Sequence, residues 1–169
     1  FSDNGKMEKY CQKNGLIHRK IPMKHSPRAS FPVFLYSMLN ILEPFLPIEK
    51  KDISDSIKKM EKQKEIISSN NLNENNTSLA LAEWITDIPM IYYPWGLQAS
   101  AIRFKNSLQE NAKMHAITED VIEACHNGIV SWDVPSNIKP ILIQGNNDYI
   151  KTKERWNILK EFFTVKNIE

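Results

Sequence analysis

Apolar and polar positions follow two different rhythms along the chain, one before and one after a polar stretch near residue 70. Over residues 3–13, Met7, Tyr10 and Cys11 fall at helical spacing. Asp3 and Asn4 stand where they can cap the first turn, and Asn14-Gly15 is a pair suited to end the helix. Residues 16–22 (LIHRKIP) predict a short strand closed by Pro22, and 23–27 (MKHSP) a loop. From Arg28 onward, Phe31, Phe34, Leu35, Met38, Leu39, Leu42 and Phe45 cover more than half of a helix's circumference, which predicts a buried helix. Pro32 lies in its first turns, where a missing donor costs little. After Pro47 the pattern thins. Residues 52–69 form a charged helix with a narrow stripe at Ile53, Ile57, Met60 and Lys64/Ile67, and the polar run NNLNENNTS marks a linker or surface excursion.

Beyond Thr77, helices and strands alternate. Helices are predicted at 77–86, 97–112, 119–126 and 148–163, and strands at 88–93, 113–117 and 139–144. Strands separated by single helices make a parallel sheet with right-handed crossovers, so the fold class is α/β, a three-layer sandwich. Strand 16–22 is expected in a different sheet, beyond the polar 49–75 segment. No repeat at a solenoid period is visible.

Composition narrows the function classes. The 169 residues are 41% apolar and 25% charged, a globular balance, and the net charge of +2 favours neither a nucleic-acid groove nor a polybasic membrane patch. No window is long and apolar enough to span a bilayer, and no signal segment opens the chain. The glycosylation patterns Asn75-Asn76-Thr77 and Asn76-Thr77-Ser78 therefore read as polar loop. Cys11 and Cys125 lack metal-ligand or redox spacing and read as reduced thiols of a cytoplasmic protein. Phe1 opens what reads as the tail of a strand, so the chain is expected to be a fragment.

No Walker loop, G-x-G-x-x-G, H-E-x-x-H or G-x-S-x-G occurs. Three other segments carry candidate chemistry. In Ser26-Pro27-Arg28-Ala29, Arg28 sits in the first turn of the apolar helix, where it either meets an anion near the helix's positive end or snorkels to solvent. Gln109-Glu110-Asn111-Ala112-Lys113 joins a helix to the next strand, where a glutamate is a solvated charge or a base. In Glu123-Ala124-Cys125-His126-Asn127-Gly128-Ile129, His126 ends a short helix and is either a capping group or a proton carrier. His18, His25 and His115 have no better claim.

Together these segments resemble the bifunctional phosphoglucose/phosphomannose isomerases, which carry two sugar isomerase (SIS) domains in one chain. The resemblance is strongest over about 23–46 and 76–133. Ser2-Asp3-Asn4-Gly5-Lys6 is similar to that family's T-S-G-G-K turn and Ser26-Pro27-Arg28-Ala29 to its P-R-A segment. Gln109 to Lys113 falls on N-E-N-A-K, and His126-Asn127-Gly128-Ile129 on H-N-E-I, with Trp132 in the place of the tryptophan that follows. The order matches, as does the step of 16 positions from Glu110 to His126. Two departures stand out: Gly128 replaces a glutamate, and Asp3-Asn4 replace a small Ser-Gly pair.

The resemblance implies two SIS domains in the intact chain. Residues 1–48 would be the rear of the first, 49–75 a polar helical linker and 76–169 the second, incomplete at its C-terminus. It implies interconversion of glucose 6-phosphate, and mannose 6-phosphate, with fructose 6-phosphate through a cis-enediol. Glu110 would be the base between C1 and C2, Arg28 would stabilise the enediolate charge, and His126, given by the partner subunit of a homodimer, would assist ring opening. No cofactor and no metal is implied. One carboxylate to move a proton and one cation where oxyanion charge develops is what the chemistry requires. A base working near neutral pH is expected to be partly shielded from water. The family's S-x-S-G-N-T phosphate loop is expected upstream of Phe1, and its lysine-bearing last helix beyond Glu169. The rival readings are a non-catalytic SIS-type sugar-phosphate-binding module and a plain α/β scaffold for protein contacts.

Overall fold

Asn75 and Asn76, inside the most polar run of the chain, divide it into two compact units, Phe1–Asn75 and Asn76–Glu169. The computed structural model describes residues 1–23 and 26–168, apart from the side chain of Arg28. Lys24 and His25, within the loop expected at 23–27, lie outside the described residues.

In the first unit, α1 (Lys6–Lys13) is capped by Gly5 at φ 87°, and neither Asp3 nor Asn4 supplies the expected side-chain cap. Its end follows the sequence closely. Gly15 adopts a left-handed φ of 63°, and Leu16 N donates to Cys11 O at 2.9 Å, closing a Schellman turn that a residue with a Cβ would strain. The strand expected at 16–22 is reduced to one parallel bridge, Ser2 to Lys20. Among the described residues it has only this short partner, and a single bridge does not sustain a strand.

Arg28–Ser30 form a 3-10 turn, locked by Ser30 Oγ donating to Ser26 O at 2.7 Å, and α2 follows at Phe31–Leu42. The expected burial of this apolar helix is not met. None of its residues is buried, and Phe31, Val33, Ile41 and Leu42 are exposed. Tyr36 Oη and Ser56 Oγ on α3 (Lys50–Ile66) are hydrogen-bonded, and the charged α3 offers only a narrow apolar stripe to cover α2. α3 starts at a capping box between Glu49 and Asp52. No helix of the described residues is long and apolar enough to cross a membrane.

The second unit holds the sheet. α4 (Thr77–Trp84) is capped by buried Asn76, whose side chain accepts from the backbone of Ser78 and Leu79. It leads to β1 (Ile88–Tyr93), followed by α5 (Gln98–Ser107), β2 (Ile117–Asp120), α6 (Val121–Ala124), β3 (Ile138–Leu142) and α7 (Ile150–Val165). The three strands are parallel in the order β2-β1-β3. Pro89 precedes the β1–β2 pairing but stands opposite Lys139 in the β1–β3 pairing, and Pro140 lies on an outer strand of this sheet.

Because neighbouring side chains on a strand face opposite ways, Ile91 and Tyr92 divide the core. Both are almost fully buried. α5 packs on β1 and β2 with Ala101 at 0% exposure, while Tyr92 joins Val121, Ala124, Trp132, Trp156, Leu159 and Phe163 under α6 and α7. Helices thus cover both faces of a parallel sheet, the three-layer α/β arrangement that the alternation predicts.

β2 differs from its expected position at 113–117. The helix before it continues through a π-turn at Leu108–Ala112, Lys113 turns left-handed at φ 57°, and the strand begins only at Ile117. α6 is correspondingly shorter than the expected helix 119–126, since Glu119 and Asp120 belong to the strand.

Candidate functional site

Glu110 stands on the π-turn ahead of the amino end of β2. The turn is held by Lys113, whose Nζ donates to the Glu110 carbonyl at 2.7 Å. The Glu110 side chain is exposed, so the shielding expected of a neutral-pH base is not provided by this unit. A π-turn widens the helix by one residue and aims its side chains off the helix's own stripe, a distortion frequent at functional sites.

His126 follows the carboxyl end of β2. Asp120 caps α6 by accepting from Ile122 N at 2.8 Å, and after that single turn His126 N donates to Glu123 O at 3.0 Å. The imidazole is exposed and makes no hydrogen bond or ion pair among the described residues, so it does not touch Glu110. One helical turn also carries little of the macrodipole that a longer helix would aim at the ring. Arg28 opens its 3-10 turn in the other unit, with its side chain outside the described residues. Ser2, in the segment similar to T-S-G-G-K, has its Oγ 2.8 Å from His18 Nε2, a pairing that no sequence spacing suggested.

Under the sheet lies a cavity of about 240 Å³ lined by Tyr92, Glu119, Gly128, Ser131, Trp132 and Ser136 among others. Trp132 Nε1 donates to Tyr92 Oη at 2.9 Å. Burial pushes the Tyr92 phenol up to about 12, opposed by that hydrogen bond and reinforced by the charges of Glu119 and Cys125. Glu119 is held above the ordinary carboxylate range by burial first, then by Glu123 and Asp120. Burial likewise raises the Cys125 thiol, with Arg155 opposing, which leaves it protonated near neutrality. A larger open groove of about 450 Å³ runs past Asp87, Asp133, Lys139 and Lys166. Neither Glu110 nor His126 lines either cavity.

Sequence reasoning missed Glu119. It lies in the Glu-Asp end of its strand, a pair poor in strand formers, and only the register Tyr92 to Glu119 places it over the core.

A parallel sheet between helical layers is the arrangement of an SIS-type α/β domain. Residues 74–169 match the family described as the bacterial phospho-glucose isomerase C-terminal SIS domain. Over 95% of its length the chain is 25% identical to the bifunctional phosphoglucose/phosphomannose isomerase of Aquifex aeolicus (strain VF5), and it spans 48% of that protein. No solved structure matches it. The chain belongs to the bacterial phospho-glucose isomerase C-terminal SIS domain family.

Proposed function

We propose that the chain is part of an aldose–ketose isomerase that interconverts glucose 6-phosphate, and mannose 6-phosphate, with fructose 6-phosphate. In this reading Glu110 carries the proton between C1 and C2, Arg28 stabilises the cis-enediolate, and His126 of a partner subunit assists ring opening. Residues 1–48 are the rear of a first SIS domain, 49–75 a polar helical linker, and 76–169 the second SIS domain. The protein works in the cytoplasm as a homodimer, without metal or cofactor.

The observation that carries the reading is the family match over 74–169, a span that contains both the Q-E-N-A-K and H-N-G-I segments in order. One feature accords with it: His126 is exposed and makes no hydrogen bond or ion pair among the described residues, as a histidine given across an interface requires.

The exposure of Glu110 and the glycine at 128 favour a second reading, a non-catalytic module that binds sugar phosphate. The full-length protein separates the two. Turnover of glucose 6-phosphate to fructose 6-phosphate supports the isomerase, and binding of either without turnover supports the module.

A further inference from the structure

The turn that carries His126 returns the chain to β2. From Asp120, α6 and the residues Cys125 to Asn127 lead into a 3-10 helix at Gly128–Asp133, and its first residue comes down against Glu119. A Cβ built on Gly128 would stand 2.9 Å from Glu119 Oε2, 3.3 Å from Oε1 and 3.4 Å from Cδ. Both carboxylate oxygens therefore face the glycine's Cα, and no L side chain fits at 128 while Glu119 keeps its place. Backbone geometry does not demand glycine here, because Gly128 is absent from the positive-φ glycines. The constraint is the carboxylate.

Glu119 has no other evident task. Among the described residues it makes no hydrogen bond or ion pair, and the charges of Glu123 and Asp120 repel it. A half-buried carboxylate without a donor is a cost to the fold.

We infer that Glu119 is a positioning residue for the turn that carries His126: its carboxylate stands in the volume a side chain at 128 would fill, and so sets how that turn seats on β2. Where the H-N-E-I pattern that this segment resembles has a glutamate, this chain has Gly128, with the Glu119 carboxylate of β2 standing beside it. The inference rests on the proposed role of His126.

The test uses the full-length protein with Glu119→Ala, Glu119→Gln, Gly128→Ala and the exchange Glu119→Ala/Gly128→Glu. Two readouts are taken, steady-state kinetics and the NMR titration of the His126 imidazole. Because the carboxylate is the end of a flexible side chain, Gly128→Ala displaces it without unfolding the domain. Gly128→Ala and Glu119→Ala are each expected to shift the His126 titration and to lower kcat about tenfold, with KM changed less than about twofold, as for a modestly misplaced group. Glu119→Gln, which keeps the shape, leaves the titration close to wild type, and the exchange variant restores it. An unshifted His126 in both Gly128→Ala and Glu119→Ala overturns the inference, as does an exchange variant no better than Glu119→Ala. A wild-type protein that binds sugar phosphate without turnover removes the isomerase reading instead, while the titration still decides the contact.

Discussion

At the scale of single residues, the chain spends stability at Glu119. Its carboxyl is held above the ordinary value because burial, Glu123 and Asp120 all disfavour the ionised form. A group whose folded affinity for protons exceeds its unfolded one makes the folded state bind more protons, so stability falls as pH rises through that window. Glu119→Gln removes the ionisation. The variant is expected to melt higher than wild type at pH 7.5, with the gain fading as pH falls from the raised value toward the ordinary carboxylate value. Thermal melts of both proteins between pH 4 and 8 check this, and a gain that grows toward acid pH contradicts it. The Tyr92–Trp132 pair is a different kind of residue-scale device. Trp132→Phe keeps most of the buried ring but leaves the Tyr92 hydroxyl without its donor, and about 1–2 kcal/mol of stability should go with the bond. Denaturant unfolding measures that loss, and an unchanged midpoint would show the bond to be idle.

Among the elements, those with their own end signals were legible and those defined by partners were not. β1 is bounded by Asp87 and Pro94 around a dense apolar run, and it forms where the pattern places it. α1 ends at Asn14-Gly15 for a local reason, the left-handed glycine, and local chemistry is readable in one dimension. β2 was displaced because KMHAI, with Met114, Ala116 and Ile117, carries more apolar positions than ITED. What decides the strand is a π-turn and a left-handed lysine, which no periodicity announces. For α2 the sequence showed an apolar surface but not what lies against it, so burial did not follow from hydrophobicity. The candidate site divides the same way. Glu110 and His126 stand out by their segments, whereas Glu119 is visible only in the register with Tyr92. The cap at Asn76 tests whether the second unit depends on its first residue. Asn76→Ala removes the acceptor of two backbone donors and should cost about 1–2 kcal/mol, read from denaturant unfolding.

For the whole molecule, the proposed chemistry needs parts brought together that one SIS-type unit keeps apart. Glu110 is open to solvent, and His126 does not reach it within the chain. In the proposed reading a homodimer brings them together, so the full-length protein should sediment as a dimer at micromolar concentration, and a strict monomer would count against His126 acting across an interface. The central claim is that Glu110 moves the proton. In the full-length protein, Glu110→Gln keeps the size and most hydrogen bonds of the side chain but removes the base. Exchange of the C2 proton of glucose 6-phosphate with solvent deuterium reads that step directly. The account predicts that exchange slows by about two to four orders of magnitude, the range for loss of a general base, with substrate affinity little changed. Exchange at the wild-type rate in Glu110→Gln would contradict it.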